Sequence, residues 1–247
     1  MNCALRASYL TALIGLATAG SAVAGTFVIS PIRVELSAQQ KTEALTVRNE
    51  DTGHEVVVQA RAFAWSQHNG QDELVETRDV IVTPPVFTLA GGAQQIIRVA
   101  IRRPPDPTRE LTYRLIVQEV PQEARKDFTG LQVALRLSLP IFLASQSKSA
   151  PDLHFESAWQ KDGALRVTAT NQGAAHIQVT DFIVRPKIGD GMLKNSVVKY
   201  VLPGATIYWD LPAPADPQQL NALKQGALIL RGASDKGEIA AELTPGY

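Results

Sequence analysis

The sequence predicts an all-β chain made of two sandwiches, on three observations. Short apolar runs alternate with polar residues at period two along most of its length, and turn residues punctuate them at regular spacing. A small polar stretch, ASQSKSAP ending at Pro151, divides one series of runs from the next. Only Pro217 to Lys224 has room for a helical turn or two.

The first 24 residues are set aside before any fold reasoning. Arg6 supplies a positive start, Tyr9 to Thr18 an apolar run, and Ala22-Val23-Ala24 an A-x-A cleavage signal. That is the pattern of a secretory signal peptide, and the run is shorter than the roughly 20 residues a membrane span needs. The mature chain is expected to begin near Gly25 and to lie outside the cytoplasm, without membrane insertion.

The strands are then read in order. Ile32, Val34 and Leu36 alternate with Arg33 and Glu35, and Leu45 and Val47 alternate with Thr46 and Arg48 before the turn cluster Asn49 to Gly53. Each is a strand with one wet face. Glu55 to Trp65 is a longer strand, followed by Asn69-Gly70, the strongest short-range signal for a hairpin. Pro84-Pro85 precedes Val86, Phe87 and Leu89; Gly91-Gly92 turns the chain into Gln95 to Ile101. Prolines at 104, 105 and 107 enforce a loop, because proline cannot donate to a ladder. Leu111 to Val120 is the next strand, which brings the first series to about seven strands with the one that follows, a sandwich's complement. Beyond Pro151, strands are expected over 153–159, 165–170, 177–184, 197–202, 206–211 and 227–231.

That last strand of the first series, Leu131 to Leu143 (LQVALRLSLPIFL), is unusual. Every odd position is a branched aliphatic residue: Leu131, Val133, Leu135, Leu137, Leu139, Ile141 and Leu143. Strands average only about five or six residues, so this ridge is longer than one small sandwich requires. Either it closes its own core or it is offered to another chain.

Composition excludes several classes. The 247 residues hold 24 basic and 24 acidic side chains, for a formal net charge of zero, and Arg6 is lost with the leader. No bulk attraction to nucleic acid or membrane follows. The one cysteine, Cys3, lies in the leader, so the mature chain would fold without disulfides even though it is exported. His54, His68, His154 and His176 are scattered without metal-ligand spacing and are read as surface or strand residues. There is no G-x-S-x-G elbow, phosphate-cradling loop or H-E-x-x-H. Nothing argues for an enzyme, a cofactor or a metal.

Several segments, taken together and in order, resemble the periplasmic chaperones of the chaperone–usher pilus pathway, the PapD-like family. They are Asn49 closing the second strand, P-P-V-F-T-L from Pro84, G-G-A-Q-Q-I-I-R ending at Arg98, R-E-L-T-Y-R-L from Arg109, and Glu119-Val120-Pro121 before the long alternating strand. The resemblance covers most of residues 27–143, whereas residues 151–247 match only by size and strand content. It implies two immunoglobulin-like sandwiches set at an angle with a cleft between them, over residues 25–145 and 146–247. It also implies a function for the ridge. A pilus subunit lacks the last strand of its own sandwich, and the chaperone lends one: backbone hydrogen bonds satisfy the open edge while alternate side chains fill the groove. Those side chains would be Leu131, Val133, Leu135, Leu137, Leu139 and Ile141. Unoccupied, such a ridge is an aggregation liability, and the free protein is expected to shield it by self-association.

The family anchors its subunit's terminal carboxylate on an arginine of the first strand and a lysine near the end of the long one. Arg33 matches the first, but Pro140 stands at the second position, so Arg114 and Arg136 are the candidates to replace it. Better-known members also tie their domains with an arginine just past the position of Phe142, paired with the equivalent of Glu110. Ala144 and Ser145 stand there instead, the mark of a divergent branch. The short loop from Pro121 to Gly130 goes with chaperones of rod-like pili. The partners implied are pilus subunits and an outer-membrane usher. The competing classes are a structural fimbrial subunit or adhesin, disfavoured because the mature start runs directly into a domain strand, and a periplasmic β-sandwich hydrolase.

Overall fold

The structure is a computed structural model that describes residues 27–121 and 133–246. Ten strands build the first domain: β1 (Phe27–Ser30), β2 (Val34–Leu36), β3 (Thr42–Asn49), β4 (Val56–His68), β5 (Gln71–Glu76), β6 (Val80–Thr83), β7 (Val86–Leu89), β8 (Gln94–Ile101), β9 (Leu111–Glu119) and β10 (Arg136–Leu143). One sheet runs β1-β3-β8-β6, and the facing sheet runs β2-β10-β9-β4-β5 with β7 also on β4. All their pairings are antiparallel except that of β10 with β2. The inward residues of both sheets, among them Leu45, Val47, Val58, Ile97, Val99, Leu115 and Val117, are wholly buried in one core.

Period two located these strands because one face of each is wet, and their ends follow from hydrogen bonding. The first strand departs from its expected course. The chain switches sheets around Pro31, so Ile32 is not part of a strand and is 75% exposed. The Asn69-Gly70 hairpin is as expected: both residues have positive φ, 51° and 77°, the mark of a type I′ turn, and His68 faces Gln71 across it. β5 and β6 were not anticipated; β5 is exposed along its whole length and has no apolar stripe to give it away.

The long strand is shorter than its pattern. The alternation predicts a strand over 131–143, and among the described residues it begins at Arg136. Its antiparallel partner β9 sets this limit: Glu119 N–H still donates to Leu135 O at 2.9 Å, but Val120 N–H turns to Val57 O. Past that point β9 offers no ladder to Ala134 or Val133. Leu131 lies outside the described residues, as does most of the loop after Pro121.

The second domain comprises β11 (Leu153–Trp159), β12 (Leu165–Asn171), β13 (Ile177–Pro186), β14 (Leu193–Asn195), β15 (Lys199–Val201), β16 (Thr206–Leu211), α1 (Pro217–Lys224), β17 (Leu228–Ser234) and β18 (Gly237–Leu243). A sheet β11-β12-β16 faces β14-β13-β17-β18, with β15 also on β13, around a separate core that includes Leu165, Val167, Phe182, Val184 and Leu228. The short helix starts where the sequence places it: the Asp216 side chain accepts from Gln218 N–H at 2.8 Å, Pro217 fills a first-turn position, and Leu223 is buried.

Both domains use one device that the sequences conceal. Asn49, fully buried at the end of β3, donates to His54 O and Ala90 O and accepts from Asp51 N–H. Asn171, fully buried at the end of β12, donates to Ala175 O and Val201 O and accepts from Asp152 and Gly173 N–H. Each amide satisfies backbone groups that a strand end would otherwise leave orphaned.

Candidate functional site: an open strand edge above an interdomain cleft

β10 is the exposed margin of its sheet. One side pairs with β9 over its full length, while on the other side β2 covers only Ile141 to Leu143. Among the described residues no strand pairs with residues 136–140 on that side. Pro140 sits in this stretch, where its missing N–H costs no ladder bond. Along the ridge, exposure falls steadily: Val133 is 66% exposed, Leu135 and Leu137 are half-buried, and Leu139 and Ile141 are 4% and 0% exposed. Leu139, Ile141 and Leu143 therefore fill this domain's own core. The first alternative, closure of the ridge's own core, holds for its second half, while the first half stays exposed or half-buried.

Beneath β10 the two domains meet on a third apolar cluster, Trp65, Phe142, Leu202 and Ala205, with Tyr200 packed against it. Parity explains Phe142: it leaves β10 on the face opposite Ile141, away from the first core. Its ring stacks flat on His176 at 3.4 Å between centroids and 4° between planes. His176 Nδ1 lies 2.7 Å from Glu110 Oε1, and its backbone N–H donates to the same oxygen at 3.1 Å. His176 Nε2 lies 3.7 Å from Asp235 Oδ2, to which Arg33 Nη1 also donates at 3.0 Å. Arg33 Nη2 donates to Gln178 Oε1 and Tyr200 OH. Burial pulls the Arg33 guanidinium down, but the bonds to Tyr200 and Asp235 outweigh it, so the net shift is upward. An interdomain tie through Glu110 thus exists although Ala144 and Ser145 stand past Phe142, because a histidine of the second domain meets the carboxylate.

Around this tie lie backbone contacts of β-like form. The Gln67 side-chain amide donates to Tyr200 O and accepts from Leu202 N–H, both at 3.0 Å. Glu110 N–H donates to Ala174 O, and Arg109 donates to Pro203 O. The hairpin tip completes the contact. Gly70 lies so close to Tyr208 that a Cβ would come within 2.4 Å of its ring, and its φ of 77° already favours glycine.

A cleft of about 450 Å³ opens beside these contacts, lined by Trp65, Asp72 and Arg114 of the first domain and by Gln178, Lys199 and Tyr200 of the second. Arg114 lies over Trp65, its Cζ 3.7 Å from the ring centroid. Its polar contacts are long, 3.5 Å to Ser138 O and 3.8 Å to Asp72 Oδ2. Burial lowers its affinity for a proton, with Asp72 and Tyr200 opposing. Lys199 Nζ donates to Tyr208 O at 2.7 Å and keeps two further donors. Trp65 Nε1 is buried and lacks a hydrogen-bond partner. The cleft thus sets the Arg114 guanidinium and the Lys199 ammonium beside the Asp72 carboxylate and the amides of Gln67, Gln71 and Gln178.

Of the three candidate anchors, only Arg114 lines this cleft. Arg33 is adjacent, but its guanidinium is engaged in the interdomain tie. Arg136 is exposed on the far part of the sheet beside Gln59, Arg61, Phe63 and Gln118, because it faces Gln118, four positions along β9 from Arg114. The sequence reading missed Lys199, Gln67 and His176. His176 was read as a surface or strand residue and is instead 3% exposed. Its one local signal is its position before the strand from Ile177, which does not reveal a partner in the other domain.

Residues 26–147 match the model of the pili and flagellar-assembly chaperone family, PapD N-terminal domain. The chaperone protein LpfB of Salmonella typhimurium is 27% identical over 173 residues, covering 68% of each chain. Among solved structures, the CsuC–CsuE chaperone–tip adhesion subunit pre-assembly complex of Acinetobacter baumannii matches with a TM-score of 0.64 and 21% identity, over 90% of this chain and 100% of the matched one. The Salmonella enterica SafA pilin–SafB chaperone complex matches with a TM-score of 0.58 and 16% identity, over 89% and 96%. These likenesses share the two-domain immunoglobulin-like fold. Residues 26–147 belong to the N-terminal domain family of the pili and flagellar-assembly chaperones, whose members are non-enzymatic periplasmic proteins. That membership places a chaperone above both the fibre subunit and the hydrolase.

Proposed function

We propose that the protein is a periplasmic chaperone that binds a pilus subunit by lending it the open edge of β10 and the ridge leading into it, and then delivers it to an outer-membrane usher. The observation that carries this reading is the unpaired margin at residues 136–140, continuous with an exposed or half-buried apolar row at Val133, Leu135 and Leu137. Leu131 extends that row in sequence. Leu139 and Ile141 drop out of the proposed donor set, because withdrawing them would open this domain's own core. Each donated aliphatic side chain would contribute roughly 1.5–3 kcal/mol gross, less the costs of association.

The subunit's terminal carboxylate would enter the cleft and meet Arg114, with Lys199 facing it from the second domain. A guanidinium that is desolvated but weakly partnered favours a carboxylate. The test is capture from the periplasm of source cells with the purified mature chain, comparing wild type, Val133→Arg and Leu135→Arg, with circular dichroism to establish that the variants fold. Pilus subunits identified by mass spectrometry should be retained by wild type and lost from both variants. Folded variants that capture the same subunits would overturn the reading.

A further inference from the structure

His176 is nearly enclosed, and its surroundings carry an unbalanced charge. Five elements face it: Glu110 before β9, Asp235 in the turn from β17 to β18, Arg33 before β2 acting through Asp235, Tyr200 on β15, and the Phe142 ring on β10. The side chains of Glu110 and Asp235 are only 9% and 13% exposed. With both ionised, Arg33 offsets one charge and a single buried negative charge is left over. Glu35, 3.7 Å from Arg33, is mostly exposed and adds no balance.

The ring's own chemistry points the same way. A carboxylate can only accept, so the 2.7 Å contact places a hydrogen on Nδ1. A neutral ring would then direct the Nε2 lone pair toward Asp235 Oδ2, with no donor to satisfy it, and Nε2 is buried without a hydrogen-bond partner. Protonation makes both nitrogens donors, each facing a carboxylate, and cancels the leftover charge. The flat stack on Phe142 accommodates the cation as well as the neutral ring.

We infer that closure of the two domains takes up a proton at His176, so that the interdomain angle, and with it the width of the cleft, depends on pH. The sign is definite. The closed arrangement is favoured in acid, where both ring nitrogens donate, and loosens as pH rises. The inference rests on the tie alone and stands apart from the chaperone reading.

The mature chain carries no cysteine once the leader is gone, which allows spin labels at Ile96→Cys and Ile188→Cys, exposed positions in the first and second domains. Distances between them are measured by double electron–electron resonance from about pH 5.5 to about pH 8.5. A single narrow population should broaden as pH rises. His176→Gln, which cannot take the proton, should be broad throughout; Glu110→Gln, which removes the leftover charge, should stay narrow throughout. A wild-type distribution that does not move with pH overturns the inference, as does a wild-type pH response in a folded His176→Gln. Should His176→Gln fail to fold, the wild-type series and Glu110→Gln still decide.

Discussion

Arg114 separates two kinds of arginine that look alike in the sequence. Arg114 and Arg136 both sit on strands at positions out of phase with their aliphatic neighbours, yet one is stacked in the cleft and the other lies in solvent. Arg114→Ala should weaken subunit binding by about 10- to 100-fold, the loss of one charge-assisted contact of roughly 1.5–3 kcal/mol, while Arg136→Ala should leave it unchanged in the same calorimetric titration. Equal effects of the two would remove the anchor from the cleft. Arg166 and Asp210 form the opposite case, a paired surface couple at 2.7 and 2.8 Å. The Arg166 hydrogen bond holds the Asp210 carboxyl below the usual carboxylate range despite slight burial. Its stabilisation is therefore present above that range and lost as pH falls through the lowered value. Urea unfolding should show Asp210→Asn less stable than wild type at neutral pH by no more than about 1 kcal/mol, because the pair is exposed, with the gap closing in acid. The Arg166–Asp210 couple was invisible in the sequence, since a partner 44 positions away carries no local signature.

The long strand shows how an element's length is decided. Alternation from Leu131 to Leu143 describes which face a side chain takes if the segment is extended, and that parity is respected from Leu135 onward: Leu135, Leu137, Leu139, Ile141 and Leu143 all lie on or against the first core. It does not say how many of those residues find a partner strand, which depends on where β9 ends. The division has a measurable consequence. Leu137→Arg, at a half-buried position on the open margin, should leave the domain folded and abolish subunit capture. Ile141→Asp, placing an unpaired charge in a sealed core, should cost more than about 3 kcal/mol and unfold the domain in chemical denaturation. If both variants fold equally well, the boundary between core and donor segment lies elsewhere.

On the scale of the whole molecule, stability comes from two separate cores joined by the Trp65–Phe142–Tyr200–His176 cluster, whose aromatic neighbours lie 3.4 to 6.2 Å apart. Phe142→Ala should remove about 3–5 kcal/mol from the coupling of the domains, a core-sized loss at a position that belongs to neither core. Calorimetry should then resolve two unfolding transitions where wild type shows one; a single transition shifted as a block would mean the domains unfold together without this contact. The all-β class and most strand positions were legible in the sequence by itself, because period-two burial and turn chemistry are local properties written along the chain. Three matters were decided only by the tertiary structure: which half of the ridge is core, which arginine enters the cleft, and that Glu110 meets a histidine. Each depends on which distant segments are brought face to face, and neither spacing nor composition encodes that.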